Sequence, residues 1–238
     1  MKENIKSLIS EAKSGTKILS DSILIKQIIK NYIILIIGLF IMSFGVALSV
    51  ISDLGTTPIA CIPNVIKYSV SLSMGLITIL FNLFLILIQV LILKSEFEKK
   101  NYLQILVSII FGYFIDLGLY ILSEIIPKNY FQKWIICIIS CIIIGFGVYI
   151  EILSNAIVLP GEGVSLAVNK VTNIEFGKIK TTFDTSNVLI GGILSLLLYH
   201  EFQGIGLGTI FSGIVVGYIV RFYKGLFSEI IKKYNIGN

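Results

Sequence analysis

Ionisable side chains inside apolar segments are the residues of this sequence best suited to chemistry. Asp116, Glu151, Asp184 and Arg221 each lie in an otherwise apolar stretch. An ionisable side chain at mid-bilayer costs about 2.5–3.5 kcal/mol on insertion scales, so such residues usually face a cavity or a partner. Arg221 is more typical of a helix end at the membrane interface, because Phe222 and two further interfacial residues follow it.

Asp184 is the first candidate for a substrate or proton site. Asn187 follows it by one helical turn, and Thr181 and Thr185 lie nearby in the sequence. The alternative is a helix cap at the start of the fifth apolar span, since Asp and Thr are favoured at such positions.

Glu162 lies between Gly161 and Gly163, where the backbone is free to turn tightly and approach a ligand. A solvated loop carboxylate is the competing interpretation. Glu151 and Asn155 are four residues apart and are expected to share a face with Glu162, unless Glu151 only reaches interfacial water.

Thr56 and Thr57 precede Pro58 at the predicted start of a short helix. The N–H groups at such a start bind anions, although ordinary capping explains the same residues.

Asp116 suits a functional contact and a structural pairing equally well. The predicted binding residues are Asp184, Asn187, Glu162, Glu151, Asn155, Asp116, Asn82, Thr56 and Thr57; no catalytic residue, metal ligand or cofactor is predicted.

Several enzyme classes are disfavoured by what the chain contains. His200 is the single histidine, which is too few for a typical zinc site or a conventional triad. The three cysteines form no CxxC pair and are expected to be small packing residues. These residues do not favour an enzyme, so no enzymatic activity is predicted. The net charge of +5 is expected to orient the chain against a lipid bilayer, so no nucleic-acid partner is predicted.

The composition is that of an integral membrane protein. Of 238 residues, 55% are hydrophobic and 14% charged, and the mean hydropathy is +0.93. Soluble domains contain about 25% charged residues. Six apolar segments are long enough to cross a core of about 30 Å; they are placed at 33–52, 75–93, 102–122, 134–153, 183–199 and 204–222.

Two further segments, 58–72 and 160–174, are interrupted by polar residues. At about 1.5 Å per residue they reach about 22 Å, so they are predicted to be re-entrant or half-length helices. With six spans, sixteen Lys and Arg fall on the side of both termini and three, Lys67, Lys128 and Lys133, on the other. This bias predicts both termini in the cytoplasm. Eight spans would give the same count, and segment length favours six.

An internal duplication appears when the second half is aligned with the first at an offset of 102 residues. Gly45, Pro58 and Gly75 then match a glycine, a proline and a glycine, and Asn82 matches Asp184. We expect two three-span repeats, at 33–122 and 134–222, followed by a basic tail, 223–238. A basic N-terminal segment, 1–32, precedes them; its apolar residues at helical spacing, opposite lysines, indicate a helix on the membrane surface, and the alternative is a frayed basic tail. Three spans per repeat would invert one copy relative to the other, as in many secondary transporters.

The motifs resemble a known family. Leu54-Gly55-Thr56-Thr57-Pro58, Pro63-Asn64, Met74-Gly75 and Phe81-Asn82-Leu83 are similar to the YczE/YyaS/YitT group of small bacterial membrane proteins, with a matching layout around Pro160-Gly161-Glu162 and Phe183-Asp184. The resemblance implies a multi-pass protein of the bacterial cytoplasmic membrane and supplies no substrate. Asp184 opposite Asn82 makes the two copies chemically unequal.

Together these features predict an all-α membrane transporter for a small cationic or zwitterionic solute, with proton coupling through the buried acids. The alternative is a non-transporting accessory protein that docks a partner through its basic face. The variant Asp184→Asn distinguishes the two hypotheses: loss of solute uptake favours the transporter, and full function favours the accessory protein. The expected partners are the bilayer and the solute, with a homo-oligomer left open.

Overall fold

The computed structural model describes the helical backbone from Lys2 and the side chains of residues 24–228. This part of the chain is all helical, without a β-strand. Its eight helices are α1 (Lys2–Ile51), α2 (Pro58–Lys67), α3 (Met74–Leu93), α4 (Leu103–Ile121), α5 (Tyr130–Ser154), α6 (Pro160–Thr172), α7 (Phe176–Tyr199) and α8 (Leu207–Leu226), with 3-10 turns at Lys94–Glu96 and Lys99–Tyr102 between α3 and α4. The predicted apolar face before residue 24 and the end of the basic tail lie outside the described side chains.

Six helices in the described residues are long and apolar enough to cross a membrane: Leu24–Ile51, Met74–Glu96, Lys99–Ile121, Tyr130–Ser154, Phe176–Tyr199 and Leu207–Leu226. They overlap all six predicted segments. The predicted start of the fifth span at residue 183 is wrong, because α7 begins at Phe176 and includes two turns of polar sequence.

The centre of the bundle is the antiparallel pair α1 and α5. A methyl group on Gly45 would lie 2.6 Å from Ile144 Cγ1, and one on Gly147 would lie 2.6 Å from the backbone N of Met42. Numbers rise along α1 as they fall along α5, so the helices run in opposite directions. Glycine at these positions allows the backbones to approach closely. Helix α4 packs on α1, and α8 packs on α5.

The two short helices each begin with proline at the first helical position, where the missing N–H is not needed. Helix α2 has 10 residues and α6 has 13, which correspond to about 15 and 20 Å. Helix α2 packs on α7, and α6 packs on α3. Their first turns meet, because a methyl group on Gly161 would collide with Ile59.

From this meeting point the short helices extend to opposite ends of the bundle. The Tyr199 hydroxyl, at the end of α7, donates to the Val65 carbonyl near the end of α2. Lys170, near the end of α6, pairs with Glu96 after α3 at 3.2 Å. We call these ends the α7–α8 end, which carries loop 200–206, and the α3–α4 end, which carries loop 94–102.

Candidate functional site

Four charged side chains lie together toward the α3–α4 end, and we call Glu151, Glu162, Lys180 and Asp184 the charged quartet. Lys180 Nζ lies 2.6 Å from Asp184 Oδ1 and 3.7 Å from Glu162 Oε1. Glu151 is within Coulombic range of Glu162 and Lys180. The quartet therefore joins α5, α6 and α7 through one ammonium and three carboxyl groups.

Glu151 is the most deeply buried member, with 6% of its surface exposed. It lies in the last turn of α5, and its Oε1 atom accepts a hydrogen bond from the Leu159 backbone N at 2.9 Å. Leu159 is the N-cap residue of α6. The Glu151 carboxyl group thus links the end of α5 to the start of α6 and sets the position of the first α6 turn.

Glu162 occupies that first turn, where the positive end of the helix dipole favours a carboxylate. Lys180 and Asp184 are four residues apart on one face of α7. The exposed side-chain fractions of Glu162, Lys180 and Asp184 are 31%, 25% and 26%. These three groups are therefore partly buried and still reachable, whereas Glu151 is enclosed.

The composition of the quartet limits its chemistry. With all four groups ionised it would carry two net negative charges, and uncompensated buried charge is costly in a low-dielectric interior. Bound protons or a cationic group remove that cost. The arrangement is therefore suited to binding ammonium-like groups and to holding protons.

Lys180 is the member that the sequence prediction missed. In the sequence analysis it counts only among the sixteen basic residues on the side of the termini, whereas the structure shows that it is the fifth residue of α7 and points to two carboxylates. The spacing of four residues to Asp184 is the signal that would have revealed it, since side chains at that spacing meet on a helix.

The structure decides the local geometry that the sequence left open at Asp184 and Glu162, and it differs from the expectation for Asn155. Asp184 lies in the third turn of α7, so it is not a helix cap. Glu162 lies in a helix and not in a turn; its flanking glycines serve close contacts of Gly161 with Ile59 and of Gly163 with a glutamine on α3. Asn155 is exposed in a left-handed conformation after α5 (φ 47°) and does not join the quartet.

Asp116 has a structural partner at the α7–α8 end. Its Oδ2 atom accepts from the Ser73 hydroxyl, and its Oδ1 atom accepts from the Gly75 backbone N at 2.7 Å. Ser73 is the N-cap residue of α3. Asp116 on α4 therefore stabilises the start of α3, far from the quartet, and this supports the structural interpretation.

The remaining candidates line the packing of the short helices. Thr57 is the N-cap residue of α2 but makes no capping hydrogen bond, and the Thr56 carbonyl accepts from Ser212 on α8. Asn187 is 4% exposed; its Nδ2 atom donates to a carbonyl of its own helix, and its backbone O faces Cys61. Asn82 is 5% exposed, and its side chain makes no hydrogen bond within the described residues.

A buried glutamine pair closes the α3–α4 end. Gln89 Nε2 donates to Gln104 Oε1 at 2.9 Å, and Gln104 Nε2 donates back to Gln89 Oε1 at 3.1 Å. Gln89 also donates to the Pro160 carbonyl at 3.3 Å, and a methyl group on Gly163 would lie 2.6 Å from Gln89 Oε1. The pair thus holds α3, α4 and the start of α6 together. No signal in the sequence analysis singled it out.

Each end of the bundle has a cavity. The one at the α7–α8 end has a volume of about 300 Å³ and the one at the α3–α4 end about 120 Å³. In the smaller cavity, the hydrogen bond from Lys100 holds the pKa of Glu98 below its ordinary value.

In residues 24–228, no group of three or more His, Cys, Asp or Glu side chains is arranged to hold a metal ion.

Comparison with known proteins places the chain in a family. Residues 29–225 match the family of unknown function DUF6198. A protein of Haemophilus influenzae, named "Uncharacterized protein", is 24% identical over 84% of this chain and 86% of its own length. "Uncharacterized protein YyaS" of Bacillus subtilis is 26% identical over 79% of this chain and 89% of its own. No solved structure matches. The resemblance to the YyaS group is thus confirmed, and the chain belongs to the DUF6198 family.

Proposed function

We propose that this protein transports a small cationic or zwitterionic solute across the bacterial cytoplasmic membrane, with protons moving on and off the same carboxyl groups. The observation that carries the proposal is the charged quartet, which lies beside the point where two short helices begin inside a bundle of membrane-length helices. Interrupted helices that meet near the membrane midplane form the substrate sites of many secondary transporters.

The proposal includes two inverted three-span repeats with half-length helices that do not cross. Reciprocal contacts support it. Gly45 faces Ile144, and Gly147 faces Met42. At the offset of 102, Gly45 corresponds to Gly147 and Met42 corresponds to Ile144, so the two contacts join equivalent residues. A rotation by half a turn about an axis in the membrane plane would produce this pattern. A parallel repeat would not, because it would place equivalent residues at equal depth.

The short helices give the same pattern. Gly163 of α6 approaches Gln89 of α3, and Cys61 of α2 approaches Gly191 of α7. These residues are again related by 102 positions. The lengths of α2 and α6, about 15 and 20 Å, fall short of a 30 Å core and support the half-helix assignment.

The proposed repeats differ where the charges lie. The residues that correspond to Glu151, Glu162, Lys180 and Asp184 in the first repeat are uncharged: Ser49, Ala60, Thr78 and Asn82. We therefore propose one solute-binding site, toward the α3–α4 end, and not two equivalent sites. Three carboxyl groups against one ammonium favour a solute that brings positive charge.

The positions of the basic residues support the orientation. Lys67, Lys128 and Lys133 lie toward the α7–α8 end. Helix α1 begins at the opposite, α3–α4 end. The loops at the α3–α4 end, and the residues beside them, contain Lys94, Lys99, Lys100, Lys170 and Lys178. The positive-inside rule assigns the α3–α4 end to the cytoplasm. Removal of Lys180 from the loop count leaves this bias intact.

The test is charge movement by protein reconstituted in liposomes on a solid-supported membrane. Concentration jumps of methylammonium, guanidinium and glycine are compared with neutral acetamide. We expect a saturable current for at least one charged or zwitterionic compound and none for acetamide. A proton gradient directed into the liposomes should change the size of that current.

Asp184→Asn should abolish the current, because it removes one carboxylate from the quartet while preserving side-chain volume. Glu124→Gln, in the exposed α4–α5 loop, is the matched control and should leave the current unchanged. Folded protein that moves none of the compounds, or moves them equally well after Asp184→Asn, would contradict the proposal.

A further inference from the structure

The second proposed repeat lacks a helix contact that the first one has. Helix α4 packs along α3, whereas no comparable contact joins α7 and α8 in the part of the chain that the structure describes. The other contacts are matched, since α3 packs on α6 as α7 packs on α2, and α1 packs on α4 as α5 packs on α8. The separation of α7 from α8 is therefore the main departure from twofold symmetry.

Two buried glycines bring α3 and α4 together where α3 begins, at the α7–α8 end of the bundle. A methyl group on Gly75 would collide with the Gly112 carbonyl, and one on Gly112 would lie 2.5 Å from Ile79 Cγ1. The Asp116 carboxylate completes the contact through its hydrogen bonds from Ser73 and from the Gly75 backbone N. The first repeat is therefore closed between α3 and α4 at this end.

The equivalent positions in the second repeat, at the α3–α4 end, are open. The offset of 102 places Gly177 of α7 opposite Gly75, and an offset of 105 places Gly217 of α8 opposite Gly112. Both glycines of the second repeat are exposed. Among the described residues, a methyl group on Gly217 would have no neighbour within 4 Å, and one on Gly177 would meet only the Glu175 carboxylate, at 3.7 Å. A gap thus separates α7 from α8 at the proposed cytoplasmic end.

Opposite charges occupy the two sides of this gap. Glu175 is the N-cap residue of α7, as Ser73 is of α3, and Arg221 of α8 takes the position of Asp116. Both charged side chains are exposed. Arg221 Nε donates to the Gly217 carbonyl of its own helix at 3.4 Å, and no carboxylate among the described residues pairs with its guanidinium group. The hydrogen-bonded pair of the first repeat is therefore replaced by two groups of opposite charge that are still apart.

We propose that this structure is the inward-open state of the protein, and that α7 closes on α8 in the outward-open state through a Gly177–Gly217 contact and a Glu175–Arg221 ion pair. The proposal rests on the proposed transport function and its inverted repeats, because such repeats move against each other when the site changes sides. Glycine at both positions permits the close approach. The contact between α3 and α4 opens at the same time, with release of the hydrogen bonds to Asp116.

Closure of this gap controls access to the charged quartet. Lys180 and Asp184 lie on α7 close to the gap, with side chains that are 25% and 26% exposed. Thr181 takes the position of Ile79, which packs on Gly112 in the first repeat, and its side chain is exposed. A hydroxyl on the side of α7 that would meet α8 suits a gap filled with water. The gap is therefore the cytoplasmic entrance to the quartet in this proposal.

Two pairs of spin labels at equivalent exposed positions report the two ends. Thr182→Cys with Leu226→Cys measures the inner distance, between α7 and α8, and Leu80→Cys with Ile121→Cys measures the outer distance, between α3 and α4. None of these residues belongs to either contact. The distances are measured by double electron–electron resonance on the full chain in liposomes, with the buried native cysteines replaced by alanine.

We expect two populations, in which a short inner distance accompanies a long outer distance and the reverse. Asp116→Asn weakens the outer contact, so it should raise the ratio of short to long inner distances about two- to fivefold. Arg221→Gln removes the proposed ion pair and should lower that ratio about two- to fivefold. The exchange Glu175→Arg/Arg221→Glu should recover what either single reversal loses. Lys99→Gln, an exposed cation at the same end outside the gap, should change neither distance.

A long inner distance in all of these proteins would overturn the proposal. So would a short inner population that persists unchanged in Arg221→Gln, or one that occurs while the outer distance is also short. The measurement needs no solute, so it is independent of the transport assay. Alternating distances in protein that moves none of the test compounds would support this closure and contradict the transport function, whereas a solute current in protein whose inner distance stays long would do the reverse.

Discussion

The buried glutamine pair gives the sharpest prediction about stability. Gln89 and Gln104 are 1% and 2% exposed, and each donates to the other. Gln89→Leu keeps a similar volume and removes both bonds, together with the bond to the Pro160 carbonyl. The amide of Gln104 then stays buried between α3, α4 and α6 with neither its donor nor its acceptor satisfied.

The magnitude follows from the number of groups left unpaired. An unsatisfied buried group costs about 1–3 kcal/mol, so two such groups in Gln104 give about 2–6 kcal/mol. Interhelical hydrogen bonds in membrane proteins contribute only about 0.6 kcal/mol on average, because the unfolded chain finds other partners in the bilayer. With Gln104 this deeply buried, we expect a loss of about 2 kcal/mol in the free energy of unfolding.

The double variant Gln89→Leu/Gln104→Leu leaves neither amide in place, so its cost should be lower than that of either single variant. The assay is equilibrium unfolding in mixed micelles for all four proteins of the double-mutant cycle. If the double variant is as unstable as the sum of the two single variants, the glutamines do not stabilise each other and the reasoning is wrong.

Three further predictions concern packing and charge. Gly147→Ala should lower the Tm because its methyl group would meet the α1 backbone, whereas Gly217→Ala, with nothing within 4 Å of its methyl group, should leave the Tm unchanged in thermal unfolding. Asp116→Asn should lower the free energy of unfolding by about 1 kcal/mol, because it weakens the cap on α3; unchanged stability in the same micelle assay would contradict this. Lys180→Met should lower the Tm by about 4–8 °C, which corresponds to about 2 kcal/mol for a chain of this length, since two carboxylates lose their ammonium partner; Lys170→Met, which removes an exposed pair, should have little effect.

Much of the helix pattern could be predicted from the sequence, for reasons that are local. Pro58 and Pro160 begin α2 and α6 as expected, because proline suits the first helical position and breaks a helix elsewhere. The apolar runs locate the other spans. The start of α7 was missed because its first turns contain Lys178 and Lys180, which lower the hydropathy that marks a span.

The candidate site was harder to predict because its members meet through tertiary contacts. Asp184 stands out in the sequence as an acid in an apolar run, but the sequence does not reveal that Glu162 lies 3.7 Å from the lysine that pairs with Asp184. Asp116 had the same appearance as Asp184 in the sequence, yet it caps a neighbouring helix. Only the packing of α3 on α4 and of α6 on α7 separates a structural acid from a candidate functional one.

The proposed repeat offers a way to make that separation from sequence. Lys180 and Asp184 stand opposite Thr78 and Asn82, so both members of an ion pair are new in one copy. Glu162, which stands opposite Ala60, belongs to the same cluster. A charge that serves only the shared architecture would be expected in both copies. If the proposed repeat is correct, charges confined to one copy and gathered around one ammonium are where we expect the two halves to perform different tasks.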